Sequence, residues 1–367
     1  MVCLGLAVTN AVWSLYIKSF GLSNSQVGLF SAFLVLVSLV TSVSAIPIIE
    51  KYRKRKLLIV SLVIGIVAYT VIALVNNFII FMIAASILTS VSIFRMTSFG
   101  ILFKHLIKPE NFEKKEGLLY VFDNTGWLVG PLIASYFLFK MPMQSLFLIA
   151  ALFFFFALLS YSALAKIKIK KARKFFDKNH LKNIKDFLSH KKLKYSYIAR
   201  CGLAVWWALV YTYIPLFAID NGITENEIAL FLSLMIIPLV LTEYKVGVLV
   251  KKIGVNLFIR TGLAGLIIIS ALLFITTDIR IQFLLIAVAS IFAAFLEPTF
   301  EILFFKQTSS NEEEKYYSLY RTAVSIGGLA TKVLIAIALL SLANNYAFIV
   351  VAGLISISFI ASFKIKK

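Results

Sequence analysis

Residues 166–194 read KIKIKKARKFFDKNHLKNIKDFLSHKKLK, a long basic stretch in a chain whose other residues are mostly apolar. Twelve of these residues are Lys or Arg and two are Asp, so the stretch carries +10, half of the net charge of +20. It lies near the middle of the 367 residues and separates two apolar halves. The pattern within these halves therefore decides the fold.

The composition of the chain is that of a membrane protein. Apolar residues make up 60% of it, charged residues only 15%, and the mean hydropathy is +0.93. Soluble domains are only about 45–50% apolar. A soluble protein of this length folds as about two domains and needs a polar surface over both. The composition therefore excludes an ordinary cytosolic enzyme, and it argues against a nucleic-acid-binding protein despite the positive charge.

A helix needs about 20 mostly apolar residues to cross a bilayer. Twelve runs are of this kind: 2–18, 27–48, 57–76, 78–103, 117–139, 143–165, 198–218, 227–249, 255–276, 281–305, 317–341 and 343–363. The first run has no basic n-region or cleavage signature, so it is interpreted as a span and not as a cleaved signal peptide. We expect an all-α polytopic membrane protein with twelve transmembrane helices. They form two pseudo-symmetric six-helix bundles, 1–165 and 197–367, joined by a basic cytoplasmic linker, 166–196.

The distribution of Lys and Arg orients the spans, because cytoplasmic loops are enriched in these residues. They fill loop 51–56, the linker and the end of the chain, 364–367, whereas the alternate loops hold few of them. We expect a multi-pass protein of the cell membrane with both termini in the cytoplasm. The linker is either an amphipathic helix on anionic lipid head groups or a solvated connection.

An internal repeat relates the two halves. Residues 5–8, GLAV, recur at 202–205, and after a four-residue insertion residues 21–23, GLS, correspond to 222–224, GIT. Two six-helix halves in parallel orientation are the architecture of a large class of secondary transporters. The repeat therefore predicts a transporter.

Three short motifs support the same conclusion. Residues 46–55 read IPIIEKYRKR, residues 247–254 read GVLVKKIG at the equivalent place in the second half, and residues 126–131 read GWLVGP in span 5. With the repeat, they resemble the major facilitator superfamily along nearly the whole chain. Its loop between helices 2 and 3 reads G-x-x-x-D-R-x-G-R-K, and its helix 5 motif reads G-x-x-x-G-P. The first loop keeps the acid, Glu50, but lacks both glycines; the second keeps the glycines and has Lys251 at the acid position.

The resemblance implies helix packing at Gly126, Gly130 and Pro131, a motif that marks antiporters, chiefly drug exporters. Ala134 and Ser135 stand where that motif closes with glycines, a departure from its pattern.

The resemblance also implies a cytoplasmic gate. In the superfamily the loop acid docks at the start of helix 11, which here places Glu50 near Arg321 and lets Lys51 and Arg53 meet glutamates 312–314. By pseudo-symmetry, Lys251 and Lys252 meet the glutamates that precede span 5, which are Glu110, Glu113 and Glu116. The alternative is that all these charges are solvated, where pairs contribute only about 0–1 kcal/mol.

Ionisable side chains within spans are functional candidates, because each costs about 2.5–3.5 kcal/mol on insertion scales. Glu243 and Lys245 lie near the cytoplasmic end of span 8 and are interpreted as snorkelling side chains. Lys332 occupies the position equivalent to Pro131, well inside span 11. The other candidates are Arg95, Asp123, Glu297 and Glu301.

Span 10 gives the strongest pattern. Glu297 and Glu301 are four residues apart, so both carboxyl groups project from one helix face. Two such acids cannot both ionise at low cost, so one of them tends to keep a proton. A proton carrier requires such a group. Alternatively, they are charge partners of Arg95 or Lys332. Asp123 in span 5 is the third proton-coupling candidate.

The resemblance implies that helices 1, 4, 7 and 10 line a central cavity. Arg95 then lies at the depth of Glu297 in the opposite half, and we expect it to pair with Glu297 or Asp123. Four aromatic residues in spans 1 and 7 are either cavity-lining residues that stack on a substrate or members of an interfacial belt. They are Trp13, Trp206, Trp207 and Tyr213.

Nothing in the sequence predicts a metal or a cofactor. The two cysteines and three histidines lack metal-ligand spacing, and no G-x-x-x-x-G-K-[ST] loop supports nucleotide-driven transport.

We expect a monomeric secondary transporter, not an enzyme, that couples protons to the export of small amphipathic organic molecules by alternating access. Its partners are the substrate, protons and anionic lipid head groups. One alternative is proton-linked uptake of a sugar or organic acid, with Arg95 or Lys332 as counter-charge. The other is a non-transporting membrane sensor or lipid-handling protein.

Overall fold

The structure, a computed structural model, describes residues 1–106, 112–163, 186–187, 189–308 and 310–365. All regular secondary structure in these residues is helical. Most of the basic stretch 166–194 lies outside them, so the amphipathic linker helix stays a prediction.

The N-terminal half contains eight described helices. They are α1 (Val2–Asn10), α2 (Trp13–Lys18), α3 (Asn24–Ser44), α4 (Ile46–Lys51), α5 (Lys54–Leu74), α6 (Phe78–Leu106), α7 (Phe112–Leu138) and α8 (Ser145–Ala163). The first predicted span is thus two helices, separated at Ala11 and Val12. Span 2 is interrupted before Pro47, which lies in the first turn of α4 because proline cannot continue the hydrogen bonding of a preceding helix.

The C-terminal half contains eight further described helices and a π-helical segment, Leu209–Tyr213, within predicted span 7. The helices are α9 (Lys191–Ala208), α10 (Ile214–Asp220), α11 (Glu225–Leu234), α12 (Ile237–Ile253), α13 (Val255–Ile275), α14 (Ile279–Gln307), α15 (Ser310–Ala338) and α16 (Tyr346–Ser362). The start of α9 lies seven residues before the predicted start of span 7, and the His190 ring accepts a hydrogen bond from the backbone N–H of Leu193. This histidine therefore caps the N-terminus of α9.

Nine helices or helix pairs among the described residues are long and apolar enough to cross a membrane. Large apolar side chains on their outer surfaces are exposed, for example Leu74, Leu284 and Ile360, as expected for helices that face lipid. The chain therefore has the architecture of a multi-pass membrane protein. The number of twelve spans stays a prediction.

The chain forms two compact units. The first contains Met1–Phe20, Phe33–Phe175 and Thr224–Ser233; the second contains Gly21–Ala32, Phe176–Ile223 and Leu234–Lys367. Each unit thus takes one segment from the other half of the sequence. The predicted division into bundles 1–165 and 197–367 stays a prediction.

Hydrogen bonds hold both exchanged segments in place. In the second unit, Ser25 Oγ of α3 donates to the backbone carbonyl of Ala336 in α15 at 2.7 Å. In the first unit, Ser135 Oγ of α7 donates to the carbonyl of Asn226 in α11 at 2.8 Å. Ser233 Oγ also donates to the carbonyl of Leu128 at 2.5 Å. The exchange is therefore reciprocal.

Small residues allow the first helix of each half to pack closely on another helix of its unit. A Cβ atom added to Gly130 would lie 2.4 Å from the Cβ of Ala7 in α1, and one added to Gly327 would lie 2.6 Å from the carbonyl oxygen of Cys201 in α9. Real Cβ atoms do not come this close, so both positions require glycine. The glycines of the span 5 motif thus face α1.

Candidate functional site

The two acids of α14 have different partners in the second unit. Glu301 forms an ion pair with Arg200 of α9, with Nη2 and Oε1 2.7 Å apart and each side chain 11% exposed. The guanidinium of Arg200 also lies over the ring of Tyr320 in α15, 4.9 Å from the centroid. Glu301 is therefore a charge partner, although not of Arg95 or Lys332 as the sequence suggested.

Arg200 is a site residue that the sequence analysis missed. It lies two residues inside predicted span 7, so it is an ionisable side chain within a span, like the other candidates. Because Arg200 lies close to the basic linker in the sequence, the sequence analysis did not separate it from the loop charges. The structure shows that α9 begins at Lys191, so Arg200 lies more than two turns inside this helix.

Glu297, unlike Glu301, has no contact cation among the described residues and is instead held by two other side chains. Trp207 Nε1 of α9 donates a hydrogen bond to Glu297 Oε1 at 3.0 Å. The carboxyl group of Glu243 in α12 is also hydrogen-bonded to that of Glu297. The interpretation of Glu243 as a snorkelling side chain is therefore wrong, whereas Lys245, two residues further on, is exposed. Three helices, α9, α12 and α14, thus meet at this acid pair.

The predicted aromatic residues differ in their surroundings. Trp207 is half-buried and its ring stacks on Tyr211, with centroids 5.5 Å apart and ring planes 29° apart. Trp206 and Tyr213 are fully buried, and the Tyr213 hydroxyl donates to the backbone carbonyl of Lys332 at 2.7 Å. Among the predicted aromatics in the second unit, Trp207 is therefore the one beside a carboxyl group. In the first unit, Trp13 packs against phenylalanine rings of α6 and α8, those of Phe81 and Phe147.

Lys332 and Arg95 are cations without a carboxylate partner within the described part of the chain. The Lys332 side chain is partly exposed. Arg95, only 7% exposed, lies over the ring of Phe154 at 5.1 Å. Asp123 accepts a hydrogen bond from the thiol of Cys3 at 3.0 Å. The expected ion pair between Arg95 and Asp123 is therefore not formed, and the pairing of Arg95 with Glu297 stays a prediction.

Most of the predicted gate lies outside the described side chains, which do not include Glu50, Lys251, Lys252 or the facing glutamates. Arg321 is exposed and lies over the ring of Tyr317 at 5.8 Å. Lys51 lies over Tyr52 at 5.7 Å, and Arg53 is the N-cap residue of α5. The gate therefore stays a prediction.

Acidic and thiol or imidazole groups do not cluster as metal ligands in the described residues: no group of three or more His, Cys, Asp or Glu could hold a metal ion there. Both cysteines are free thiols. The polar centres of the molecule are instead ion pairs and hydrogen-bonded acids within apolar helices, as in membrane transporters.

Comparison with known proteins also indicates a membrane transporter. The sequence model of the family described as Major Facilitator Superfamily matches residues 1–279 and 204–367. The chain belongs to this superfamily and has its transporter fold. No curated protein matches the chain.

Solved transporter structures share the fold. A POT family transporter in complex with a thioalcohol-conjugated peptide has a TM-score of 0.79 at 14% identity, covering 100% of this chain and 94% of its own. A POT family transporter with 5-aminolevulinic acid has a TM-score of 0.78 at 13% identity, covering 100% and 94%. The nucleoside transporter NupG has a TM-score of 0.78 at 12% identity, covering 100% and 98%. At such low identity these likenesses show the fold alone.

Proposed function

We propose that the protein is a proton-coupled secondary transporter that exports small amphipathic organic molecules across the cell membrane by alternating access. The observation that supports this most is the environment of Glu297, an acid without a contact cation among the described residues that lies beside the aromatic pair Trp207 and Tyr211. Such an acid must be neutralised by a proton or by a cationic ligand when water is excluded. Competition between a proton and a cationic substrate for this carboxyl group would couple the movement of one to the movement of the other.

The aromatic pair favours an amphipathic substrate. Trp207 and Tyr211 offer a stacked, partly exposed surface, and a ligand cation over an aromatic ring gains about 0.5–2 kcal/mol. A molecule with an apolar body and a positive charge would use this surface and the carboxyl group together. In this proposal, residues 1–165 and 197–367 rock against each other as a monomer, with both termini in the cytoplasm and the linker against anionic lipid.

Proton-linked uptake of an anionic nutrient is the second candidate. Its support is that Lys332 and Arg95 have no carboxylate partner among the described residues, so either is available as a counter-charge. Structural neighbours were solved with a peptide conjugate and with 5-aminolevulinic acid, both of which are small organic molecules.

Transport into proteoliposomes under opposite pH gradients distinguishes the two candidates. The probes are ethidium, whose permanent charge prevents trapping by protonation, and succinate, an anionic organic acid. An exchanger accumulates ethidium when the lumen is acidic, because protons leave as ethidium enters. A symporter accumulates succinate when the exterior is acidic.

Nigericin, which collapses the gradient, and protein-free liposomes are the controls. Accumulation of ethidium that nigericin abolishes is the expected result. Equal uptake of each probe under every gradient would overturn proton coupling, and no uptake at all would favour the sensor or lipid-handling alternative.

A further inference from the structure

The acid pair Glu243 and Glu297 joins two helices, α12 and α14, through one hydrogen bond between carboxyl groups. An ionised carboxylate can only accept hydrogen bonds, so a hydrogen bond between two carboxyl groups contains a proton. Trp207 Nε1 occupies one oxygen of Glu297 as a donor at 3.0 Å. The indole N–H cannot accept, so it stabilises negative charge on that oxygen.

The positive charges around the pair are too few and too distant to compensate two ionised carboxylates. Arg200 on α9 acts on Glu297 from a distance, but its contact partner is Glu301, 2.7 Å away. On α12 itself, Lys245 is exposed.

Groups on the other elements packed against α14 contribute little positive charge. Tyr211 is a neutral phenol close to Glu297. Arg260 on α13 lies over the ring of an aromatic residue, Phe363, at 4.5 Å. On α15, Arg321 is exposed and Lys332 is partly exposed. Two negative charges in contact at a site with little compensation would repel strongly.

We propose that Glu243 and Glu297 form a single proton site in which one proton is always shared and a second proton is the one that is transported. The pair then alternates between a net charge of −1, with one proton, and 0, with two. The ion pair of Arg200 and Glu301 stays neutral in both states. This inference rests on the proposed proton coupling. It adds Glu243, which lies outside the pair of acids in span 10 that the sequence singled out, and it predicts one coupled proton per cycle.

Infrared difference spectroscopy of the full-length protein in proteoliposomes tests the pair without a transported substrate. The measured quantity is the carbonyl stretching band of protonated carboxyl groups near neutral pH, identified by its shift in D2O. The variants are Glu243→Gln and Glu297→Gln, with Glu225→Gln, an exposed acid at the start of α11, as the matched control. The pair predicts that either variant of the pair loses the same band, because the remaining acid ionises beside an amide donor.

The control variant should keep the full band. A band that survives in Glu243→Gln would overturn the shared site, and so would the absence of any protonated carboxyl band in the wild type. Gradient-independent transport by a wild type with the expected spectra would instead overturn the proposed function and leave the shared proton intact.

A milder variant, Trp207→Phe, guards against loss of folding in the glutamine variants. It removes the donor to the charged state of the pair and keeps an aromatic ring. Because a hydrogen bond to a charged group is among the stronger ones in proteins, its loss corresponds to a shift of about 1–2 pH units. The second proton should therefore bind at a pH higher by about that amount, and an unchanged titration would contradict the role of Trp207.

Discussion

Glu297 and Glu301 project from the same face of α14, yet their neighbours give them different chemistry. The sequence predicted the shared face from their spacing, because helix geometry is local. It could not predict that Arg200 selects Glu301 and that Glu243 meets Glu297, because such choices depend on the relative rotation of helices far apart in the chain. At the scale of single residues, candidates could thus be named but not paired.

Glu297→Gln should abolish gradient-driven transport and leave a weaker substrate counterflow, because the aromatic pair Trp207 and Tyr211 remains but the counter-charge for a cation is lost. Glutamine keeps the size of the side chain and a hydrogen-bonding oxygen for Trp207, but it cannot bind or release a proton. Accumulation of ethidium under an acidic lumen and exchange of ethidium at equal pH are the two measurements. Full gradient-driven accumulation in this variant, with Glu225→Gln as the unaffected control, would remove Glu297 from the coupling mechanism.

Arg200→Met should lower the thermal stability of the purified protein more than a surface variant does. Removing one member of a buried ion pair leaves the other charge uncompensated, at a cost of about 3–5 kcal/mol. The double variant Arg200→Met/Glu301→Met should recover much of the loss, because replacing both partners by apolar residues is often neutral. The exposed Arg280→Met is the control, and strictly additive losses in the double variant would contradict the pairing.

At the scale of elements, the helices follow from local sequence, but their interruptions follow only in part. Apolar runs predicted most spans, and Pro47 accounts for the interruption of span 2. The break at Ala11 and Val12 carries no proline or glycine signal in the sequence. The π-helical segment Leu209–Tyr213 is followed by Pro215, which has no N–H to donate to the carbonyl four residues earlier, but this signal alone does not predict a π-helix. The break and the π-helical segment occupy neighbouring positions in the repeat, where the two first helices of the halves correspond. π-Helical turns are frequent at functional sites, and this one directly follows the residues around Trp207.

Gly327→Ala should destabilise the protein, whereas Gly328→Ala, one residue further along α15, should not. A methyl group at Gly327 would lie 2.6 Å from the carbonyl of Cys201, but one at Gly328 meets nothing within 4 Å. Overpacking costs about 1–3 kcal/mol, and alanine favours a helix over glycine by about 0.8–1.0 kcal/mol. Thermal unfolding of the two variants side by side tests the contact, and equal melting temperatures would argue against close packing of α9 and α15.

At the scale of the whole molecule, the repeat is the feature that the sequence predicts best. Gly21 and Gly222 correspond in the aligned loops, and both have positive φ angles, 83° and 78°, in a region that favours glycine. The exchange of segments 21–32 and 224–233 between the units was not predicted, because no residue pattern shows which helix end packs on which neighbour. The predicted topology puts both segments on the outer side of the membrane, since they follow the outward spans 1 and 7.

The proposed alternating access predicts opposite effects for variants at the two sides of the membrane. Ser25→Ala removes the hydrogen bond to Ala336, worth about 0.5–1.5 kcal/mol, and should favour opening to the outside by about 2- to 10-fold. Glu50→Lys weakens the predicted cytoplasmic gate and should favour the opposite state. The introduced lysine is repelled by Arg321 and by the positive N-terminal end of the helix dipole. Adding Arg321→Glu to Glu50→Lys should restore the attraction between the two side chains with its sign reversed.

The measurement is labelling of Tyr211→Cys by an impermeant maleimide added outside, in a background with Cys3 and Cys201 replaced by Ser. Tyr211 is partly exposed beside Trp207, so its labelling rate reports access to the proposed site. Ser25→Ala should raise the rate and Glu50→Lys should lower it. The double variant with Arg321→Glu should return the rate to its starting value, and a rate that Glu50→Lys leaves unchanged would mean that this gate does not exist here.

Ser145→Ala is the matched control for Ser25→Ala, because it also removes one serine hydroxyl. The hydroxyl of Ser145, which is partly exposed, donates to the nearby carbonyl of Pro142 at 2.6 Å, three residues away in the same loop. Its loss therefore releases no contact between distant segments and should leave the labelling rate at the starting value. Equal rates in the two serine variants would mean that the exchanged segment does not hold the outer side closed, because the same loss of a hydroxyl would then act alike at both places.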